Sequence, residues 1–343
     1  MAEEEEATIP VVDMSEFLRS GALGECSVVA SALEVYGCFV VRDPRVETGL
    51  NDRFMSMMER YFAQSDGSRD ARPELHYQVG VTTSFVEVPR NHCALMKTLR
   101  DAALSECPPT PDQKWRFFWR IGERPTETAF EALNAADVVP LGFEGEWEET
   151  MNGWGEALVR TAEAVSEMAA LGFGLDRKTF SSLLNKGPHL LAPTGSDLTK
   201  AQELYDSQKR ILAGFHADLN FLTVHGKSRY PGLRIWRRDG RVVVPKVPEG
   251  HLLVQAGKQL EYLTGGKVLA GYHEVVISDE TLKAANINKS KWRVSSTCFA
   301  HVASDNILEP LIPGYKNDDK FPPMKAGHQV QQELRAIALA DDC

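Results

Sequence analysis

The chain has little cysteine, no long apolar run and no cluster of positive charge. Six cysteines are spread over 343 residues, and none of them forms a CxxC pair. This scarcity argues against a disulfide framework and a cysteine-based zinc site, and favours reduced thiols in a cytoplasmic protein. The sequence contains no stretch of about 18 uncharged apolar residues, so we expect no membrane span.

Targeting and nucleic-acid signals are also missing. The segment Met1–Glu6 ends in four glutamates and does not resemble a signal or transit peptide, so we expect a solvated tail. The net charge is −10, and lysines and arginines are scattered, which argues against a nucleic-acid partner. Neither GxGxxG nor GxxxxGK follows a predicted strand, so a phosphate-binding loop is not expected.

Hydrophobic periodicity changes along the chain near residue 190. Helical spacing dominates the region before it, most clearly over Trp154–Phe173. Short β runs separated by turn signals follow it, including a hairpin turn at Asp239–Gly240. We therefore expect a mainly β protein with flanking helices (α+β), built as a double-sheet barrel or jelly roll. Residues 1–343 are expected to form one domain, in which residues 1–189 pack on a core of residues 190–311 and residues 312–343 form a C-terminal segment.

Two histidines and an aspartate suggest a metal site. His216 and Asp218 are two residues apart, so on a strand both can face one ion. His273 would have to come from another strand. Two imidazoles and one carboxylate form the facial triad of non-haem Fe(II) enzymes, which leaves positions open for a cosubstrate and O2. Taken alone, His216 could be an ordinary core or surface histidine.

The segment Arg293-Val294-Ser295 adds a candidate anion site. Arg293 and Ser295 alternate with apolar residues, so a strand would turn both toward the interior. A guanidinium forms a bidentate, charge-assisted pair with a carboxylate, and a nearby hydroxyl adds a further donor. The alternative interpretation of Arg293 is a surface arginine beside Lys291.

The ordered run of these motifs resembles the isopenicillin N synthase-like branch of the Fe(II)/2-oxoglutarate dioxygenases. Leu190–Leu311 is similar to the catalytic core of that family, and Ile9–Asp13 and Tyr36–Val41 are similar to its N-terminal strands. The resemblance implies a distorted double-stranded β-helix of the jelly-roll or cupin-like kind. It also implies iron bound by His216, Asp218 and His273, with Arg293 and Ser295 holding the C5 carboxylate of 2-oxoglutarate. The reaction would consume O2, and ascorbate is a candidate reductant.

The chain departs from this family at three places. Leu190–Thr194 replaces a segment whose tyrosine contacts the cosubstrate in many members. Glu274 follows the distal histidine where the family usually has arginine. The stretch 278–291 has the features of an insertion between His273 and Arg293.

One aromatic strand is a candidate border of the substrate pocket. In Lys114–Ile121, alternation places Arg116, Phe118 and Arg120 on one face. Matching strands in the family carry substrate-contacting side chains, so either arginine could meet a substrate carboxylate while Phe118 packs on the carbon skeleton. The alternative is that these arginines are solvated edge residues. His225 is a further candidate, as a hydrogen-bonding partner of the metal ligands.

The predicted function is Fe(II)/2-oxoglutarate-dependent oxidation of a C–H bond in a small, carboxylate-bearing natural-product intermediate. Hydroxylation, desaturation and oxidative cyclisation, including the kainoid type, are all open. Two alternatives remain at this point: a 2-oxoglutarate-independent Fe(II) oxidase of the same fold, and a non-catalytic binding protein on this scaffold. We expect a monomer with a small-molecule substrate and with neither a nucleic-acid nor a membrane partner.

Overall fold

The fold is described from a computed structural model. It covers residues 9–317, 319–337 and 339. The predicted tail Met1–Glu6 and Cys343 lie outside these residues. Strands are numbered in chain order as follows: β1 Val11–Asp13, β2 Cys38–Arg42, β3 Gly80–Thr82, β4 Trp115–Ile121, β5 His189–Leu191, β6 Thr194–Asp197, β7 Ile211–His216, β8 Leu222–His225, β9 Leu233–Trp236, β10 Val242–Val243, β11 Leu252–Ala256, β12 Tyr272–Val276, β13 Trp292–Ser295, β14 Thr297–Ala300, β15 Ile307–Leu308 and β16 Met324–Lys325.

Helices occupy mainly the first half of the chain. They are α1 Ser15–Ser20, α2 Cys26–Tyr36, α3 Leu50–Gln64, α4 Cys93–Met96, α5 Trp147–Gly172, α6 Ser181–Leu184, α7 Ala201–Asp206, α8 Lys258–Leu263, α9 Asp279–Ile287 and α10 Ala326–Ala336. Gly37 ends α2 in a left-handed conformation with φ of 67°, as its position after the apolar stripe predicts. None of the described helices is long and apolar enough to cross a membrane.

Two sheets carry the architecture. The larger sheet has the order β1-β2-β11-β8-β14-β5-β4-β6-β13, with β3 beside β4. The smaller sheet has the order β10-β9-β12-β7. The proline at position 10 predicts an edge position for Ile9–Asp13, and β1 does lie at an edge of the larger sheet, paired in parallel with β2. The Asp239–Gly240 turn joins β9 to β10, and Gly240 has the positive φ (81°) that the sharp turn requires.

Helix α5 is the main support of the larger sheet. One side carries apolar residues at helical spacing, including the fully buried Trp154, Leu158 and Val165. These side chains belong to a core cluster that also contains residues of α2, α3 and the large sheet. The N-terminal helices therefore hold the sheet from outside, which leaves its other face to border the site. The single-domain organisation itself stays a prediction.

Several sequence expectations need correction. The spacing over 176–185 predicts a second helix, but only the single turn α6 forms there. The β pattern over 292–302 predicts one strand, but it is interrupted at Ser296 to give β13 and β14. The thiols are not all reduced, because Cys93 and Cys107 form a disulfide across an otherwise irregular segment. Sequence spacing gave no signal for this pair because a loop brings the two residues together. Cys26, Cys38 and Cys298 are free and buried.

Two glycines of α5 provide a test of the packing between α2 and α5. A Cβ on Gly172 would collide with the backbone oxygen of Cys26 and lie 2.8 Å from Cβ of Ala30, whereas at Gly153 the nearest atom is 4.0 Å away. We expect Gly172→Ala to lower the free energy of unfolding by about 1–3 kcal/mol through overpacking. Gly153→Ala is the matched control, and should raise it by up to about 1 kcal/mol through helix propensity. Urea denaturation of both variants measures the change. Equal changes in the free energy of unfolding would contradict the close contact between α2 and α5.

Candidate metal centre and active site

The pairing of β7 with β12 brings the two predicted metal-ligating histidines together. The strands are antiparallel, and His216 and His273 are direct partners, with ring centroids 4.3 Å apart. Asp218 follows β7 and places Oδ1 3.7 Å from Nε2 of His216 and 3.9 Å from Nε2 of His273. The three ligand atoms lie within 4.8 Å of one another, which is a separation that one metal ion can bridge.

Hydrogen bonds orient all three side chains. Nδ1 of His216 lies 2.6 Å from the carbonyl oxygen of Gly214, and Nδ1 of His273 lies 3.0 Å from that of Gly271. A carbonyl only accepts, so each Nδ1 carries the proton and each Nε2 keeps its lone pair for a ligand. Oδ2 of Asp218 accepts a 2.6 Å hydrogen bond from Thr223, and Oδ1 faces the two histidines.

The protonation states also suit a metal ion. Burial lowers the pKa of His216 to about 3, so its imidazole is neutral at pH 7. Burial opposes ionisation of Asp218, but the two histidines and the Thr223 hydroxyl outweigh it and hold the pKa of this carboxyl below its ordinary value. A neutral imidazole and a carboxylate are the forms that bind metals. The donor set therefore fits a ferrous ion of the facial-triad kind.

Arg293 lies on β13 and lines the same cavity as the three candidate ligands. Its side chain is 4% exposed, and it donates hydrogen bonds to the carbonyl of Pro231 (3.2 Å) and to Oγ of Ser295 (2.9 Å). Burial lowers the pKa of Arg293 to about 10. Within the described ranges no carboxylate pairs with it, so this buried cation fits an anionic cosubstrate.

Arg116 and Phe118 line the cavity, as the strand alternation predicts. The guanidinium carbon of Arg116 lies 4.0 Å from the centroid of the Phe118 ring, and Nη1 pairs with Glu87 at 2.6 Å. Nε and Nη2 of Arg116 are buried and have no hydrogen-bond partner. These two groups form one edge of the guanidinium, the edge that matches a carboxylate. Arg116 is thus an interior residue and not a solvated edge residue.

Arg120 shares the strand but not the cavity lining. It hydrogen-bonds to backbone carbonyls, among them those of Ile121 and Glu123, and its Nη2 lies 3.4 Å from Oδ1 of Asn134. Burial lowers the pKa of Arg120 to about 10. The structure therefore separates the two predicted substrate arginines: Arg116 borders the cavity and Arg120 lies behind it.

A buried ionic cluster beside the cavity was not found from the sequence. Lys114 contacts both Asp112 and Glu87, and Glu87 also pairs with Arg116. Burial favours the neutral acid, but Arg116 and Lys114 outweigh it and hold the pKa of Glu87 at about 2. Asp112 accepts a 2.8 Å hydrogen bond from the backbone of Gly214, two residues before His216. The segment has no periodic pattern, so only tertiary contacts reveal this cluster.

Helix α10 closes one side of the cavity and was also missed. Val330, Glu333 and Leu334 of this helix line the cavity. Glu333 pairs with Arg90, at 2.9 Å from Nη1 to each carboxylate oxygen. Amphipathic spacing over Ala326–Ala336 could have identified the helix, but not the surface that it covers.

The three departures from the family pattern have structural consequences. Residues 190–194 run from β5 into β6 and supply Leu190 and Thr194 to the cavity, so no phenol comes from this stretch. The segment 278–291 folds as α9, which a reciprocal Ser278–Thr281 capping box begins, and no residue of this segment lines the cavity. Glu274 is fully buried on the side of β12 away from the ligands.

His225 hydrogen-bonds to two residues close to a candidate ligand. Its Nε2 lies 2.7 Å from Oε1 of Gln255 and its Nδ1 lies 3.2 Å from Oγ1 of Thr297. Nε2 of Gln255 also lies 3.4 Å from Nδ1 of His273, but both groups are donors in the tautomer described above, so this contact is not a hydrogen bond. The role of His225 as a hydrogen-bonding partner of the metal ligands stays a prediction.

The sequence matches agree with this geometry. Residues 197–302 match the 2OG-Fe(II) oxygenase superfamily, and this segment contains all three candidate ligands together with Arg293 and Ser295. This segment of the chain is therefore similar to a 2OG-Fe(II) oxygenase domain. The match supports the predicted enzyme class, an Fe(II)/2-oxoglutarate-dependent oxygenase with iron as cofactor and 2-oxoglutarate as cosubstrate.

Individual relatives are distant. The chain is 22% identical to 1-aminocyclopropane-1-carboxylate oxidase 1 of Arabidopsis thaliana over 329 residues, covering 93% of this chain and 90% of that protein. It is 24% identical to leucoanthocyanidin dioxygenase of Malus domestica, covering 55% of this chain and 52% of the apple protein. The crystal structure of a full-length Neurospora crassa protein in complex with alpha-KG superposes with a TM-score of 0.74 at 18% identity, covering 97% of each chain. This likeness confirms the double-stranded β-helix fold.

Buried histidines make the stability of the metal-free protein sensitive to acid. Burial, together with nearby positive charge, lowers the pKa of His189 to about 3 and that of His225 to about 4. Between pH 6.5 and these values the unfolded chain binds protons that the folded chain does not. The free energy of unfolding therefore falls as pH decreases below about 6.5.

The variant His189→Asn tests this pH dependence. Nδ1 of His189 accepts a 3.0 Å hydrogen bond from the backbone of His301, and the Asn side-chain oxygen can replace that acceptor without titrating. Between pH 6 and 4.5 the free energy of unfolding of the variant should depend less steeply on pH than that of the wild type, by about 1.4 kcal/mol per pH unit. Urea denaturation of metal-free protein measures it. His328→Asn, on the exposed side of α10, is the control, and an unchanged slope in His189→Asn would refute the assignment.

Proposed function

We propose that this oxygenase oxidises a C–H bond of a small, carboxylate-bearing molecule, with His216, Asp218 and His273 as the iron ligands. One observation carries the proposal: these three side chains converge in the same cavity that contains the buried Arg293, which no described carboxylate neutralises. A dicarboxylate that met the metal with one end could reach Arg293 with the other.

Each part of the site has a defined task in this proposal. Iron held by these three ligands would supply activation of O2, coupled to oxidation of 2-oxoglutarate to succinate and CO2. Arg293 and Ser295 orient the C5 carboxylate of 2-oxoglutarate, and the carbonyls of Gly214 and Gly271 hold the two imidazoles in position. Helix α10 and the Arg90–Glu333 pair limit the access of water to the cavity. The protein's contribution is thus orientation and exclusion.

Arg116 supports a carboxylate on the substrate. Its Nη1 is fixed by Glu87 and its guanidinium lies over Phe118, so the unpaired edge of Nε and Nη2 has a defined direction. A rigid fork of two donors suits a planar carboxylate better than a single hydroxyl. The reaction outcome, whether hydroxylation, desaturation or kainoid-type cyclisation, stays a prediction.

A 2-oxoglutarate-independent oxidase is the second candidate. A relative that covers most of the chain is a 1-aminocyclopropane-1-carboxylate oxidase, and the family's cosubstrate tyrosine has no counterpart in residues 190–194. In such an oxidase Arg293 would bind a different carboxylate. Succinate formation distinguishes the two candidates.

The experiment that tests the proposal measures succinate. The protein is incubated with Fe(II), 2-oxoglutarate, O2 and ascorbate, alone and with a panel of amino acids and other small carboxylic acids. We expect slow succinate formation without a substrate and faster formation with a matching acid. The Asp218→Ala variant should form none, because a carboxylate ligand is missing. Substrate oxidation without succinate would instead establish the second candidate.

Replacement of Arg293 should selectively weaken cosubstrate binding. We expect Arg293→Gln to raise the dissociation constant of 2-oxoglutarate for the Mn(II)-loaded protein by roughly 30-fold or more, since a buried charge pair is lost. Isothermal titration calorimetry measures it. Arg53→Gln, at an exposed position on α3, is the control. Unchanged 2-oxoglutarate affinity in Arg293→Gln would argue against the assigned role.

Replacement of Arg116 should affect the substrate and leave the cosubstrate alone. We expect Arg116→Leu to raise KM for an accepted acid by about tenfold or more, because a charge-assisted bidentate contact is lost. Succinate formation without substrate should persist, since Arg293 and the metal ligands are unchanged. Steady-state kinetics of both reactions give the comparison. A normal KM would exclude Arg116 as a substrate-binding residue.

A further inference from the structure

A second buried polar group lines the cavity beyond the Arg116 edge. His301 directly follows β14, is 3% exposed and lines the same cavity as the candidate metal ligands. Its Nδ1 is buried and has no hydrogen-bond partner, whereas its backbone N–H is fixed by His189. A buried polar atom without a partner is unfavourable, so a ligand group that hydrogen-bonds to it on binding gains affinity.

Apolar side chains occupy the space between Arg116 and His301. The guanidinium lies 4.0 Å from the Phe118 ring, and the centroids of Phe118 and Phe299 are 6.2 Å apart in an edge-to-face arrangement. Phe299 and His301 both line the cavity. They are two residues apart, and two residues of extended chain span about 7 Å. The two polar groups are therefore on the order of 10–15 Å apart, with aromatic rings between them.

We propose that His301 is a specificity-determining residue that hydrogen-bonds a second polar group of the substrate, at the opposite end of this aromatic surface from Arg116. The inference rests on the proposed function. It narrows the substrate class to an elongated carboxylic acid with an apolar middle and a hydroxyl, carbonyl or amide group at its far end. A short acid such as a simple amino acid could not contact both groups.

The ionisation of His301 suits this task. Burial, then the neighbouring His189 and Arg120, lowers its pKa to about 3, so the ring is neutral at pH 7. A neutral imidazole offers one donor and one acceptor, and it can pair with an uncharged polar group. Arg120, which lies behind the cavity, thereby helps to keep His301 uncharged.

A matched pair of acids tests the proposal. Decanoate and 10-hydroxydecanoate differ only by a hydroxyl at the end away from the carboxylate, and both are flexible enough to follow the aromatic surface. Their dissociation constants are measured by calorimetry on the full chain, metal-free and loaded with Mn(II) and 2-oxoglutarate. We expect the hydroxy acid to bind the wild type about three- to tenfold more tightly, the value of one hydrogen bond.

Variants separate recognition from general packing. His301→Leu should abolish the preference while leaving decanoate affinity within about twofold, and His301→Phe is a second such variant if the first does not fold. His301→Asn should retain the preference, because its side-chain oxygen can replace Nδ1 as an acceptor. Arg116→Leu should weaken both acids equally. His251→Phe is the control, because the His251 ring lies outside the cavity, beside the carbonyl of Glu249.

The outcomes that overturn the proposal are distinct from those that overturn the proposed function. Equal affinities of the two acids for the wild type, a preference that survives in His301→Leu, or no binding of either acid would each reject the role of His301. Failure of Mn(II) or 2-oxoglutarate to bind would reject the proposed function alone, because the acid titrations on metal-free protein remain informative.

Discussion

The antiparallel pairing of β7 with β12 is the constraint on which the site depends. It makes His216 and His273 direct partners, although 56 residues of sequence separate them. The register shifts next to His273, so a bulge turns the strand at the point where a ligand must be aimed. Asp218 completes the set from the loop after β7, and backbone carbonyls fix both rings. A shift of the β7–β12 register by one residue would turn one histidine to the opposite face of the sheet.

The back of these two strands is held by a buried carboxylate. Glu274 accepts hydrogen bonds from the backbone of Leu104 and from both the backbone and the hydroxyl of Ser105, and it pairs with Arg234 at 2.6 Å. The hydroxyl of Ser105 also accepts from the backbone N–H of Phe215, the residue before His216. Glu274, where the chain departs from the family pattern, therefore links the 101–112 loop to both β7 and β12. Its charge is fully compensated, as burial requires.

Local patterns predicted the features that depend on nearby residues. Apolar spacing predicted most of α5, and the Asp-Gly turn predicted the β9–β10 hairpin. Motif order gave the oxygenase class. The pattern failed for the Cys93–Cys107 disulfide, the Asp112–Glu87–Lys114 cluster and the cavity surface of α10. Each of these needs chain segments far apart in sequence to meet, and no periodicity encodes such a meeting.

The sequence by itself determined the chemistry that the site can perform: two imidazoles, one carboxylate and a distant guanidinium are a donor set for iron and a dicarboxylate. Only the tertiary structure decided which polar groups face the cavity. Arg116 and Arg120 are equivalent by strand alternation, yet the cavity borders one and not the other. His301 belongs to no sequence motif. Its unpaired nitrogen could be identified only from the fold, which buries it beside the aromatic surface. Burial and pairing are properties of packed neighbours, and a linear pattern does not specify them.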